Sequence, residues 1–136
     1  MAKRSHHSCI YKIHYHLVLV TKYRNKCFNL EMLSFLKDTF GRLLDNQDCS
    51  LLEFNGEKDH VHLLLEVHPS IEPAKLVNSL KTTSSRLIKK DFGLLIKKHY
   101  WGTNAIWSRS YCLLSVGGAP LSVLKKYIEN QKSPED

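Results

Sequence analysis

The stretch Ser50-Leu51-Leu52-Glu53-Phe54-Asn55-Gly56-Glu57-Lys58-Asp59-His60-Val61-His62-Leu63-Leu64-Leu65-Glu66-Val67 decides the fold. Ser50 to Phe54 reads as a short strand. Asn55-Gly56 opens a turn, and Glu57-Lys58-Asp59 continues it. His60 to Val67 is a second strand, ended by Pro69. Such closely spaced strands form an antiparallel pair.

Both flanks of this pair are helical. Upstream, Asn29 can cap a helix reaching about Gln47, whose apolar positions Met32, Leu33, Leu36, Phe40, Leu43 and Leu44 recur at helical spacing. Downstream, Ser70 or Ile71 precedes a second helix with Pro73 in its first turn, where proline is tolerated. Its buried stripe is Leu76, Val77, Leu80, Leu87 and Ile88. Farther out lie two more strand regions. Ile10 to Thr21 is rich in β-branched and aromatic residues, with Ile13, Tyr15, Leu17 and Leu19 on one face and His14, His16, Val18 and Val20 on the other. A polar loop, Tyr23-Arg24-Asn25-Lys26, follows it. Ile106 to Val116 is the last strand region. Gly93 to Asn104 reads as loop with a short helical turn. After the breaker Gly117-Gly118-Ala119, Pro120 opens a third helix reaching about Gln131.

The order is therefore β-α-β-β-α-β-α. It predicts an α+β, ferredoxin-like fold, as in RNA-recognition modules: an antiparallel sheet with helices on one face, plus a C-terminal helix. The other sheet face is left free to bind something.

A single domain over residues 1–136 suits the length. Hydrophobic residues at 43% and charged residues at 24% support a folded core and argue against disorder. No apolar run approaches the roughly 20 residues of a membrane span. Met1 to His7 lead into no signal-peptide hydrophobic segment, so a cytoplasmic protein is expected. Cys9, Cys27, Cys49 and Cys112 have neither zinc-knuckle nor redox spacing and are expected as reduced thiols.

Charge is unevenly distributed. Lys and Arg number 20 against 13 Asp and Glu, for a net charge of +7. Met1 to Lys26 holds six basic residues and no acid, whereas Glu31 to Glu72 holds nine of the acids. Pro73 to Lys126 holds ten basic residues and one acid, Asp91. Such blocks can place positive charge on one face, the footprint of a polyanion binder; a basic solvated surface accounts for them equally.

Two features carry chemistry. His60 and His62 flank Val61 in a strand, so period-two geometry sends both imidazoles to one side, where they can bind one metal ion. His14 and His16 have the same spacing, so spacing alone does not make a ligand pair. Tyr127 and Gln131 lie four apart on the last helix, sharing a face about 6 Å apart along the axis. Leu121, Leu124 and Ile128 form the adjacent apolar stripe, and Tyr127 can equally extend that stripe.

Taken together, these segments resemble the HUH-type single-tyrosine transposases of small bacterial and archaeal insertion sequences (histidine, hydrophobic, histidine). The resemblance covers nearly the whole chain. It is carried by Tyr15-His16-Leu17-Val18 with Lys22-Tyr23-Arg24, Asp59-His60-Val61-His62-Leu63-Leu64, Ser84-Ser85-Arg86, Trp107-Ser108-Arg109-Ser110-Tyr111, Val116-Gly117-Gly118-Ala119-Pro120, and Lys126-Tyr127-Ile128-Glu129-Asn130-Gln131.

The resemblance implies an enzyme that cuts and rejoins single-stranded DNA at the ends of a mobile element. It implies recognition of subterminal hairpins and a homodimer in which one subunit's tyrosine can serve the other's histidines. Tyr127 matches the nucleophile; His60, His62 and Gln131 match the metal ligands. A divalent cation there polarises the scissile phosphate. Imidazole and carboxamide donors suit Mg²⁺ or Mn²⁺ and also accept Zn²⁺. A free phenol has a pKa near 10, so the cation and Lys125-Lys126 are expected to favour phenolate. The covalent 5′-phosphotyrosine conserves the phosphodiester energy, so no nucleotide cofactor is needed. Such an enzyme acts at the nucleoid. Lys12, Lys22, Arg24, Lys81, Arg86, Lys89 and Arg109 are candidate phosphate contacts, and Tyr23, Trp101 and Trp107 are candidate stacking platforms for bases.

Two other readings share this scaffold. A non-catalytic single-strand binder calls for exposed aromatics on the two central strands. If those are Ser50–Phe54 and His60–Val67, they offer only Phe54. A relaxase or replication-initiator nickase shares the chemistry, but the short chain argues against it.

Overall fold

In a computed structural model the described residues are 12–100 and 105–116, with the side chains of residues 99 and 100 set aside. The elements are β1 (Ile13–Thr21), a 3-10 turn (Lys22–Arg24), α1 (Leu30–Asp45), β2 (Ser50–Gly56), β3 (His60–Val67), α2 (Pro73–Tyr100) and β4 (Trp107–Ser115). The strands form one antiparallel sheet in the order β2-β3-β1-β4. The α+β, ferredoxin-like expectation holds. The third helix, with Tyr127 and Gln131, lies outside the described residues, as does Trp101.

Strand alternation divides the sheet into two faces. Leu17 and Leu19 of β1 and Val61, Leu63, Leu65 and Val67 of β3 join Met32, Leu36, Phe40 and Leu44 of α1 and Leu76, Val77, Leu80 and Ile88 of α2 in one core. That leaves the even-numbered residues of β1 and β3, including His14, His16, His60 and His62, on the side away from the helices.

The start of α1 is set locally. Asn29 is extended, and its side chain accepts a hydrogen bond from the Met32 amide at 2.8 Å. Asn29→Ala removes that cap and should lower unfolding free energy by about 1 kcal/mol, read by urea denaturation.

Three sequence readings are corrected. Asn55 and Gly56 are not turn residues; they end β2, paired with His62 and Val61. The turn is Glu57–Asp59, closed by the Glu57 amide donating to the His60 carbonyl at 2.8 Å. Gly56 sits close to α1: a Cβ there would meet Leu33 Cδ2 at 2.5 Å, so the end of the Leu33 side chain would have to move.

The second correction concerns Gly93 onward. α2 bends at Phe92 (φ −128°, ψ 28°) but stays helical to Tyr100. Phe92 packs edge-on to Phe35 of α1 with centroids 5.4 Å apart, and Ile96 is buried in the core. Their burial outweighs the helix-weakening effect of Gly93, which costs about 1 kcal/mol relative to Ala.

Third, the two central strands are β3 and β1, and β2 is an edge strand. Phe54 packs on the core rather than standing open. The face of β1 and β3 opposite α1 and α2 carries histidines, valines, Leu64 and Glu66 with no Phe, Tyr or Trp, so the aromatic platform of an RNA-recognition module is missing from the central strands.

Cys27 and Cys49 are buried and Cys112 is half-buried, none of the three in a disulfide. No helix among the described residues is long and apolar enough to cross a membrane.

Candidate metal centre and nucleic-acid surface

His60 and His62 begin β3 and stand on the face opposite α1 and α2. Their ring centroids are 5.0 Å apart and nearly perpendicular, at 84°. His60 Nδ1–H donates to Asp59 Oδ1 at 2.8 Å, and Arg24 Nε donates to Asp59 Oδ2 at 3.1 Å. Burial alone raises the Asp59 carboxyl, but the hydrogen bonds from His60 and Arg24 and their charges reverse this, leaving it below its usual value. An ionised carboxylate only accepts, which puts a proton on His60 Nδ1, so the neutral ring has its lone pair on Nε2.

The backbone supports this clamp. Thr21 N donates to the Asp59 carbonyl at 2.9 Å, and Phe28 N donates to the Lys58 carbonyl at 3.0 Å, tying the β2–β3 turn to the segment after β1. In that segment Tyr23 and Arg24 are left-handed, with φ of 58° and 55°. Such residues cost about 1 kcal/mol or more each unless their surroundings enforce them. The Thr21 hydroxyl donates to the Asn25 carbonyl at 2.8 Å, closing the turn, and Arg24 is anchored on Asp59. The polar loop of the sequence reading is therefore a strained turn that aims Arg24 at the carboxylate.

His62 is held differently. Its Nδ1 lies 3.1 Å from Nε2 of His16, which is 0% exposed on β1. Burial first, then the charges of His60 and His16, push the His62 imidazole down from 6.5 to about 4. It is therefore neutral near pH 7, the form that ligates. His14 belongs to another pair, Nε2 to Glu66 at 3.0 Å.

Among the described residues no group of three or more His, Cys, Asp or Glu side chains is arranged to hold a metal. The two imidazoles, each with Nδ1 engaged and Nε2 uncommitted among those residues, nevertheless fit a site completed by a further donor.

The His62 shift gives a pH expectation. Between pH 6.5 and about 4 the unfolded chain takes up a proton that folded His62 refuses. Stability is therefore unaffected by His62 above that window and falls as pH drops through it, by on the order of 3 kcal/mol in total. Urea unfolding of metal-free protein at stepped pH should show the loss, and His62→Gln should flatten it.

The candidate DNA contacts divide into groups. Lys12, Arg86 and Arg109 are exposed, as is Tyr23 at 74%. Lys22 is half-buried, with its Nζ 5.6 Å from the Tyr23 ring centroid. Arg24 is engaged with Asp59. Lys81, Arg86, Lys89 and Arg109 line a cavity of about 420 Å³ between α2 and the start of β4. Lys81 Nζ donates to the Ser108 carbonyl at 2.8 Å, and burial lowers its pKa.

Trp107 is corrected from stacking platform to core residue. It is 5% exposed, its Nε1 donates to Ser84 Oγ at 2.9 Å, and it packs on Phe28 and Phe40. A ring so enclosed has no face for a base. Sequence reasoning missed Asp59 and His16 as orienting groups. Asp59 had a local signal, an acid directly before His60; His16 is 46 residues from His62 and had none.

Comparison with known proteins agrees with this architecture. The family described as "Transposase IS200 like" matches residues 9–131. The ISDra2 transposase TnpA of Deinococcus radiodurans is 32% identical over 126 residues, covering 93% of this chain and 89% of that protein. The transposase for insertion sequence element IS200 of Salmonella typhimurium is 29% identical over 117 residues, covering 86% and 75%. A crystal structure assigned as a transposase from Deinococcus radiodurans superposes with a TM-score of 0.74 at 31% identity, covering 97% of this chain and all 100% of that one. A REP-associated tyrosine transposase bound to a REP hairpin shares the fold, with a TM-score of 0.59 at 8% identity over 95% of this chain and 69% of that one. On the strength of a family match across almost its full length, the chain belongs to the IS200-like transposases, enzymes that cleave and transfer DNA.

Proposed function

We propose that residues 1–136 form a single catalytic domain that cleaves and rejoins single-stranded DNA at insertion-sequence ends through a 5′-phosphotyrosine on Tyr127. His60, His62 and Gln131 hold a divalent ion, Mg²⁺ or Mn²⁺. The observation that carries this reading is the histidine pair: both rings are anchored through Nδ1, both keep Nε2 uncommitted among the described residues, and both stand on the sheet face opposite α1 and α2.

The ion, when bound, supplies Lewis-acid polarisation of the scissile phosphate and offsets charge in the transition state. The protein's residues do the rest. Tyr127 Oη attacks phosphorus, the P–O3′ bond breaks, and the departing oxygen takes a proton to become a free 3′-hydroxyl. Lys125 and Lys126 favour the phenolate. Attack by another 3′-hydroxyl on the phosphotyrosine reverses the exchange, so one phosphodiester is conserved throughout and no nucleotide cofactor is consumed. Lys12, Lys22, Tyr23, Arg86 and Arg109, with Lys81 and Lys89 at the cavity, supply the grip on a strand whose ends fold into hairpins. The active form is a homodimer whose sites can draw the tyrosine from the partner subunit.

End-labelling tests this reading. With Mg²⁺ present, a 3′-labelled single strand should become covalently attached to the protein on a denaturing gel. A 5′-labelled strand should be released as a shorter free product. Label transfer to the protein from the 5′-labelled strand would reverse the assigned polarity, and equal product in EDTA would remove the metal.

A further inference from the structure

Asp59 explains the orientation of His60, but His62 has no carboxylate partner among the described residues; its Nδ1 faces His16. We propose that His16 is a positioning residue that accepts the His62 Nδ1–H and so holds His62 in the tautomer whose Nε2 can ligate a metal. This rests on the reading of His60 and His62 as ligands.

Two neutral imidazoles joined at 3.1 Å share one hydrogen, so one ring must donate. If His16 donates, His62 carries its own proton on Nε2 and cannot bind a cation there. If His62 donates, Nε2 presents its lone pair. A neutral histidine free in water favours the Nε2–H form, so an unsupported His62 would rest in the form that does not ligate. Which ring nitrogen keeps the proton is set by the hydrogen bond at the other.

The surroundings suit this task. His16 pairs with Leu64 and His62 with Val18, making the two histidines diagonal neighbours across the β1–β3 ladder. Their ring centroids are 5.4 Å apart and their planes 19° from parallel, the geometry of two rings meeting edge to edge through the Nε2···Nδ1 contact. Both strands have paired neighbours on either side, so the contact is built into the register rather than into a loop. The acceptor is an imidazole for a physical reason. At 0% exposure a carboxylate in place of His16 would carry a desolvation cost of several kcal/mol, whereas a neutral ring nitrogen accepts the same hydrogen without a buried charge. Asp59 can be a carboxylate because its side chain keeps 13% exposure and meets Arg24. The two ligands are thus oriented by two chemically different devices.

Gln and Met substitutions test the idea, being unbranched and of similar length while only Gln offers a strong acceptor. In metal-free wild-type protein, two-bond ¹⁵N–¹H correlation should show His62 Nε2 without a proton. His16→Met should move the proton to Nε2 and weaken Mn²⁺ binding, read by electron paramagnetic resonance, by roughly 10- to 100-fold. His16→Gln should keep the wild-type tautomer and bind Mn²⁺ within about 3-fold of wild type, since its amide oxygen accepts the same N–H. Cooperative urea unfolding confirms that each variant is folded. An unchanged tautomer and affinity in His16→Met overturns the proposal. So does an equal loss in both variants with the tautomer unmoved, the result of a merely structural role. If wild type and His60→Ala/His62→Ala bind Mn²⁺ equally, the ligand reading itself fails, and the role of His16 falls with it.

Discussion

Tyr127→Phe is expected to lower strand cleavage by roughly 10⁴-fold or more, the scale seen when an enzyme loses its nucleophile. The change deletes one oxygen and keeps the ring. Hairpin binding, which depends on phosphate and base contacts, should shift by less than about 3-fold. Single-turnover cleavage and filter binding on the same oligonucleotides separate the two effects. Cleavage at the wild-type rate would remove Tyr127 from the reaction. A matching loss of binding and cleavage would make it a structural residue.

The second large effect is on the histidines. His60→Ala combined with His62→Ala should abolish calorimetric Mn²⁺ binding and reduce cleavage by roughly 10³-fold or more, since loss of a single preorganised electrostatic group already costs about 10²- to 10³-fold. The fold should survive. Val61, Leu63, Leu65 and Val67 hold β3 to the core from the opposite face, and neither histidine contributes to that cluster. The expected stability costs are the lost His62–His16 and His60–Asp59 hydrogen bonds, about 1–3 kcal/mol each where the group left behind is buried. Normal Mn²⁺ binding in the double variant would refute the site.

How much was legible follows from what kind of information each feature needs. The alternation in His60–Val67, the cap at Asn29 and the proline at the start of α2 are local, and each was readable from a few adjacent residues. Asn55-Gly56 has the chemistry of a turn, but the pairing of Gly56 with Val61 extends β2 through it, and a dipeptide does not carry that pairing. α2 was cut short at Gly93 because propensity was allowed to outweigh the i, i+4 spacing of Ile88, Phe92 and Ile96, a signal already present in the chain. Trp107 needed Ser84 as a hydrogen-bond partner before it could be recognised as core.

The site was half legible for the same reason. The spacing of His60 and His62 placed both rings on one face. What holds each ring in a ligating form depends on Arg24, Asp59 and His16, and two of these come from the far side of a strand pairing. His14 and His16 illustrate the point. Their spacing copies that of His60 and His62, yet one pairs with Glu66 and the other with His62, because the β1–β3 register sends them to different neighbours.

Peptide mass spectrometry of the protein–DNA adduct tests the central claim most directly. Protein incubated with Mg²⁺ and a single-stranded element end is digested, and the peptide carrying nucleotide is sequenced. The account predicts the adduct on Tyr127 in wild type and none in His60→Ala/His62→Ala. An adduct on another residue, such as Tyr23 or Tyr111, or an undiminished Tyr127 adduct in the histidine variant, would contradict it.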